Sequence, residues 1–173
     1  MTAILLLSDF VQQNRSLNLV STSEIQLILY WSRVASAMSA LIRAQQLFSA
    51  LSSVKKPRVL DATWFLPNSP FAAPEGETAL SSFEKKRIPH ARFLDLDGIG
   101  DPEIAPTSGH NLPNATVFGD TMAALGITRD TPVVVYDTHG VFSSPRAWHT
   151  LRAFGHEDVA GAATVLSGSN VVL

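Results

Sequence analysis

TPVVVYDTHGVFSSPRAWHTLRAFG, residues 131–155, contains the signals of a strand, a loop and a helix in that order. The apolar, β-branched run from Pro132 to Tyr136 predicts a strand that is buried on both faces. Ser144 is the predicted N-cap of the helix, Pro145 suits its first position, and Gly155 suits a left-handed stop. Ligands of open α/β sheets bind at the carboxyl ends of strands, opposite helix N-termini. The loop after the strand is therefore the first place to look for a functional site.

Further strands and helices are predicted on both sides of this stretch. They are strands at 58–66, 91–96 and 159–166, helices at 39–52 and from Asn114 to about Gly126, a surface loop at 67–82 and a short helical turn at 83–87. In the helix at 39–52, the apolar face is predicted to consist of Leu41, Ala44, Phe48 and Leu51. The alternation of strands and helices favours an α/β domain with a mainly parallel sheet flanked by helices.

Composition excludes several classes of function. The chain has 173 residues, of which 46% are hydrophobic, enough for one domain with a substantial core. Its formal net charge of −2 gives no bulk attraction to nucleic acid or to anionic membranes. The absence of cysteine excludes disulfides, thiolate metal sites and a cysteine nucleophile within these residues. No apolar run approaches the roughly 18 residues that span a bilayer. We therefore expect neither a nucleic-acid nor a membrane partner.

Residues 1–38 differ in composition from the remainder. They are rich in Ser, Leu, Gln and Asn, and their only acidic residues are Asp9 and Glu24. The open interpretations are a mitochondrial targeting segment, a poorly ordered or helical extension, or sequence translated upstream of the true start. The corresponding location is the mitochondrion or the cytoplasm. We predict three segments, namely this extension, a domain at 39–168 and a divergent tail at 169–173.

Familiar catalytic and metal-binding motifs are incomplete in this sequence. Asp95, Asp97 and Gly100 match the start of a calcium loop, but Pro106 stands where the bidentate glutamate is required. Asp97 is then either an acid facing a ligand pocket or a turn-capping acid. The five histidines lack zinc-site spacing, and the serines of the central loop lack the nucleophile elbow of hydrolases. Glycine-rich nucleotide motifs are also missing. We expect no metal and no cofactor.

Several motifs, taken together, do resemble a known family. VLDATWFLP, RIPHARFLDLDGIGD, the central stretch extended to LGITRDTPVVVYDTHGVFSSPRAWHTLRAFGHEDV, and VLSG occur in this order. Over roughly residues 39–168 the chain is similar to the first domain of the two-domain sulfurtransferases, which act on 3-mercaptopyruvate or thiosulfate. The resemblance implies a rhodanese-like α/β domain, a small sulfur-containing substrate and a second rhodanese domain as partner.

The same resemblance assigns site residues. In that family a cysteine of the second domain carries the sulfur as a persulfide and passes it to cyanide or a thiol. At the corresponding loop position this sequence has Asp137, so no catalytic residue is expected here. The resemblance implies that Asp97 and His110 contact or position the substrate.

Two hypotheses about function follow. In the first, the chain is a truncated sulfurtransferase that comprises only the N-terminal domain and is inactive alone, because the nucleophile is missing. In the second, it is a catalytically inactive rhodanese-like module that binds or regulates a partner.

Overall fold

A computed structural model of the chain describes residues 41–101, 103–104 and 111–162. The predicted extension at 1–38, the tail at 169–173 and His110 lie outside the described residues. The elements are, in order, β1 (Leu41–Ile42), α1 (Ala44–Leu51), β2 (Arg58–Asp61), α2 (Ala79–Lys85), β3 (Arg92–Phe93), α3 (Ala115–Ala124), β4 (Val133–Tyr136), α4 (Ser144–Ala153) and β5 (Val159–Ala162). None of the helices within these ranges combines the length and apolar character needed to cross a membrane.

The five strands form one parallel sheet. The strand order is β1-β5-β4-β2-β3, and each pair of neighbours is parallel. The register between the two central strands places Arg58 opposite Val133 and Asp61 opposite Tyr136. This arrangement confirms the predicted α/β class and brings the carboxyl ends of β2, β3 and β4 to the same edge.

Each face of the sheet has its own core. One core contains Leu60, Val133 and Val135 from the sheet with Met122 of α3 and Leu151 of α4. The other contains Val59, Val134 and Tyr136 with Leu47 of α1 and Ile88. Alternate residues of β2 and β4 thus enter opposite cores, as the period of two in a strand requires. Because both faces are covered, β4 consists of three valines and a tyrosine, which is the apolar pattern that predicted it.

The predicted helix at 39–52 was wrong at its start. Leu41 and Ile42 form a short strand that pairs with Gly161 and Ala162, and the helix begins only at Ala44. The expected apolar face was wrong in part: Leu51 packs against the core, but Phe48 is 55% exposed and Leu47 is buried instead. Sheet pairing overrides helix periodicity at Leu41 and Ile42.

Other boundaries differ by a few residues from those predicted. The second strand stops at Asp61, because the Asp61 side chain accepts a hydrogen bond from the N–H of Thr63 and turns the chain. The helical turn expected at 83–87 is a helix that already begins at Ala79, where Thr78 caps it. The predicted cap Asn114 is confirmed by its bond from the N–H of Val117, 3.0 Å long. Of the last predicted strand, the described part is Val159–Ala162.

Candidate functional site

Two carboxylates end adjacent strands at the ligand-facing edge of the sheet. Asp61 is the last residue of β2, and Asp137 directly follows β4. Both side chains are buried, with exposed fractions of 0% and 1%. Two buried acids at the carboxyl ends of parallel strands form the centre of the candidate site, and their surroundings differ sharply.

The Asp137 carboxylate fills a cradle of backbone N–H groups. Its Oδ2 accepts hydrogen bonds from the N–H groups of Phe142, Ser143 and Ser144 at 2.9, 3.0 and 2.8 Å. Its Oδ1 accepts one from the N–H of His139 at 2.9 Å. The donors lie in the loop after β4 and in the first turn of α4, where backbone N–H groups lack partners within the helix. Asp137 therefore acts as an internal anion at the N-terminus of α4.

These bonds determine the ionisation of Asp137. Burial alone raises the pKa of this carboxyl, but the hydrogen bonds from Ser144, Phe142 and Ser143 outweigh burial and hold the pKa below its ordinary value. A carboxylate that accepts several backbone N–H bonds is favoured in its charged form. The loop thus holds a permanent negative charge at neutral pH.

The predicted cap residue of α4 was wrong by one position. The N-cap is Ser143, its hydroxyl caps no helical N–H, and Pro145 is the second helical residue. The Asp137 carboxylate already satisfies the N–H groups of this turn, so no serine is needed for that purpose. Instead, the Ser143 hydroxyl donates to the carbonyl of Ala62 at 2.7 Å and accepts from the N–H of Trp64 at 3.1 Å. It joins the start of α4 to the segment after β2.

The pKa of Asp61 is shifted in the opposite direction. Its Oδ1 accepts the N–H of Thr63, while its buried Oδ2 makes no hydrogen bond within the described part of the chain. Burial raises the pKa of Asp61, the nearby Thr63 and Tyr136 oppose the rise, and the charge of Asp137 adds to it. Burial, together with the nearby Asp61, also raises the pKa of the Tyr136 hydroxyl. The pKa values of the two neighbouring acids are therefore shifted in opposite directions, that of Asp137 down and that of Asp61 up.

Aromatic rings cover the loop that carries Asp137. Phe142 stacks on Phe71 with ring centroids 4.2 Å apart. His139 meets Phe65 and Phe71 edge-on at 5.4 and 5.2 Å. These contacts join the segment after β2 to the loop after β4.

Asp97 lies in an exposed polar group beside this loop. Its Oδ2 accepts a 2.9 Å hydrogen bond from Nε1 of Trp64. Burial lowers the pKa of Arg146, and the charge of Asp97 opposes part of that effect. Nη2 of Arg146 donates to the carbonyl of Asn111, the residue directly after His110. Arg146 therefore interacts with both Asp97 and Asn111.

The turn formed by the acidic cluster is explained without a metal. Asp95 accepts the N–H of Asp97, and Asp101 accepts the N–H of Glu103 and the side-chain amide of Asn114. Across the described residues, no group of His, Asp and Glu side chains is placed to hold a metal ion. Asp95 and Asp101 cap turns, whereas Asp97 belongs to the polar group described above.

Sequence reasoning missed Asp61, Trp64 and Arg146 as members of this site. Asp61 ends a strand, Trp64 follows that strand, and Arg146 lies in the first turn of a helix, so their separation in sequence conceals their proximity. One signal was available for Arg146, because it follows Pro145 at a helix start that faces the carboxyl ends of strands.

Comparison with protein families now defines the relationship of this chain. The family model described as the rhodanese-like domain matches residues 43–168. The chain belongs to the rhodanese-like domain family.

Curated relatives of this rhodanese-like domain are sulfurtransferases. The chain is 40% identical over 126 residues to mouse 3-mercaptopyruvate sulfurtransferase, a match that covers 70% of this chain and 40% of the relative. It is 39% identical over 102 residues to the mitochondrial thiosulfate/3-mercaptopyruvate sulfurtransferase 1 of Arabidopsis thaliana, covering 59% of this chain and 25% of that protein. The chain thus spans well under half the length of these relatives.

Solved structures agree with this assignment. The crystal structure of SseA from Escherichia coli, described as a 3-mercaptopyruvate sulfotransferase with the rhodanese fold, matches with a TM-score of 0.62 and 29% identity. The match covers 72% of this chain and 45% of SseA. The predicted family and fold are therefore confirmed.

The contrast between the two buried acids leads to a stability prediction. Asp137→Asn places an amide NH₂ or a single oxygen among four N–H donors and removes the charge, so we expect a loss of about 2–3 kcal/mol in the free energy of unfolding. Asp61→Asn is the matched control. At this position only one carboxyl oxygen accepts a hydrogen bond, and the asparagine side-chain oxygen can accept the same bond. The loss in the free energy of unfolding should therefore stay below about 1 kcal/mol. Urea unfolding at pH 7 measures both, and equal losses would contradict the assigned roles.

The lowered pKa of Asp137 also predicts a pH dependence. A carboxyl whose pKa is lower in the folded state stabilises the fold above its unfolded pKa and loses that contribution as the pH falls through the folded value. The stability difference between the native chain and Asp137→Asn should therefore be constant from pH 7 to about 5 and shrink below the ordinary value of 3.8. Urea midpoints of both proteins between pH 3 and 7 provide the measurement. A difference that grows towards acid pH would contradict the charged cradle.

Proposed function

We propose that this rhodanese-like domain is the non-catalytic, N-terminal half of a 3-mercaptopyruvate/thiosulfate sulfurtransferase and is inactive alone. The observation that carries the proposal is the occupied cradle, in which Asp137 accepts four backbone N–H groups. A cradle of N–H groups at a helix N-terminus stabilises a thiolate or another anion. Here the carboxylate already uses those donors, and the chain contains no cysteine to carry sulfur.

The contribution of this half to catalysis is proposed to come from Asp97 and His110. Asp97 is exposed and bonded to Trp64, beside Arg146. Through the carbonyl of Asn111, Arg146 restrains the chain next to His110. Such contacts suit residues that position a small sulfur donor, because a fixed side chain loses little freedom when the substrate binds. The donor is 3-mercaptopyruvate or thiosulfate. A cysteine that another domain supplies takes up the sulfur as a persulfide, releasing pyruvate or sulfite, and then passes it to a thiol or cyanide.

A second rhodanese domain is the proposed partner. Apolar side chains remain exposed on the segments next to the site, including Leu66 at 38%, Phe71 at 36% and Val141 at 47%. Apolar groups clustered beside a polar site are typical of surfaces that another domain covers. The name of the Arabidopsis relative supports a mitochondrial location, and the alternative is the cytoplasm. Imaging of the tagged chain with and without residues 1–38 would decide between them.

The alternative function is a catalytically inactive module that binds or regulates a partner. The occupied cradle also favours this alternative, because the Asp137 carboxylate fixes the loop in one conformation to which a partner can bind. The two functions differ in what Asp97 does, since a regulatory module does not need a substrate-positioning acid.

A chimera tests the catalytic proposal. The 126 aligned residues of the mouse relative are replaced by those of this chain, and the remainder, which carries the relative's own cysteine, is kept. We expect this chimera to transfer sulfur from 3-mercaptopyruvate, whereas the isolated chain does not. Within the chimera, Asp97→Asn and His110→Asn should each lower kcat/KM by about tenfold or more, because substrate positioning is lost.

Asp120→Asn, an exposed acid on α3, is the matched control and should change kcat/KM by less than about twofold. Sulfur transfer by the isolated chain would refute the proposed inactivity. A folded chimera in which Asp97→Asn behaves like Asp120→Asn would instead favour the binding module.

A further inference from the structure

Within the described residues, β3 forms an open edge of the sheet, on the side opposite β1 and β5. β3 is last in the strand order and pairs only with β2 among the described residues. The main-chain carbonyl of Asp61 in β2 accepts a hydrogen bond from the N–H of Leu94. By the alternation of a strand, the backbone groups of Leu94 and Arg92 therefore point towards β2. The N–H and C=O of Phe93 then face away from the sheet. An added strand could bond to them.

A groove runs along this edge. It has a volume of about 460 Å³ and lies between the end of α2 and the C-cap of α3. Its apolar walls include Phe83, Phe93 and Leu125, and the two phenyl rings are 5.6 Å apart. A groove with a free strand edge at its base and apolar walls is the geometry in which extended peptides bind by strand addition.

The charges along the groove select the kind of peptide. Arg87 and Arg92 line it, and Glu84 is its one acidic lining residue. The Arg87 guanidinium lies 5.0 Å from the centre of the Phe83 ring, and Nη1 bonds to the carbonyls of Phe83 and Glu84. A guanidinium has five N–H donors, so others remain for a ligand. Both arginines are exposed.

We propose that this edge groove binds an extended acidic peptide segment of another protein as an additional strand. The peptide would bond to the outward N–H and C=O of Phe93, place alternate apolar side chains against Phe83 and Leu125, and place carboxylates near Arg87 and Arg92. A second copy of this chain is a poor occupant, because edge-to-edge pairing would bring the basic side chains of both copies together. The proposal concerns a surface separate from Asp97 and the cradle.

Basic side chains at a sheet edge also serve simply to prevent aggregation. The two roles differ in a measurable way, since a purely protective edge binds no peptide. The test uses the complete chain and a fluorescein-labelled hexapeptide of alternating glutamate and valine, followed by fluorescence anisotropy. We expect saturable binding that weakens as salt is added, and binding at least about tenfold weaker for the matching lysine–valine peptide. An absence of saturable binding, or equal binding of both peptides, overturns the proposal.

Variants locate the binding. Arg92→Glu should weaken binding of the acidic peptide by about tenfold, whereas Arg129→Glu, an exposed arginine outside the groove lining, should change it by less than about twofold. Both positions are exposed, and circular dichroism checks that each variant is folded. Equal effects of the two variants would overturn the assignment to this groove. A peptide N-methylated at alternate residues should bind more weakly, and undiminished binding would overturn strand addition.

Discussion

Four hydrogen bonds to one carboxylate hold the ligand-facing edge of this domain together. A parallel sheet leaves loop backbone groups and helix N-termini at its carboxyl edge, and these N–H groups need acceptors. Asp137 supplies two oxygen atoms for four of them, and its side chain is buried. Without this anion, the first turn of α4 and the loop before it would contain several unpaired donors. The local fold therefore depends on a charge that the chain carries itself.

The same charge influences its neighbours. Asp61 ends the adjacent strand, and the charge of Asp137 adds to the effect of burial in raising the pKa of Asp61. Ser143 bonds across to Ala62 and Trp64, and Trp64 in turn bonds to Asp97. A continuous series of contacts thus joins the occupied cradle to the exposed polar group. The residues proposed to position substrate are supported by a loop that has no catalytic group of its own.

The fold was predictable where several local signals agreed. The run before Asp137 consists of three valines and a tyrosine because both faces of β4 are covered, and Asn114 is a typical helix cap. The prediction failed at Leu41 and Ile42, where pairing with a strand about 120 residues later decides the conformation. Periodicity within a short window contains no information about such a distant partner. The site was predictable only in part for the same reason: Asp97 is prominent in its motif, whereas Trp64 and Arg146 join it through the tertiary fold. Of the residues implied by the resemblance, His110 stays a prediction.

The anchored loop has a consequence for association. Loops at the ligand-facing edge of α/β domains often become ordered only when a ligand or another domain binds, and that ordering lowers affinity. Here the backbone between Asp137 and Ser144 is fixed at both ends by the carboxylate, and the Ser143 hydroxyl fixes it to the neighbouring segment. The conformation of this loop is therefore already fixed before another protein binds at this edge. Little conformational entropy remains to be lost on the loop's side of the contact, so the loop favours tight association although it has no chemistry to offer.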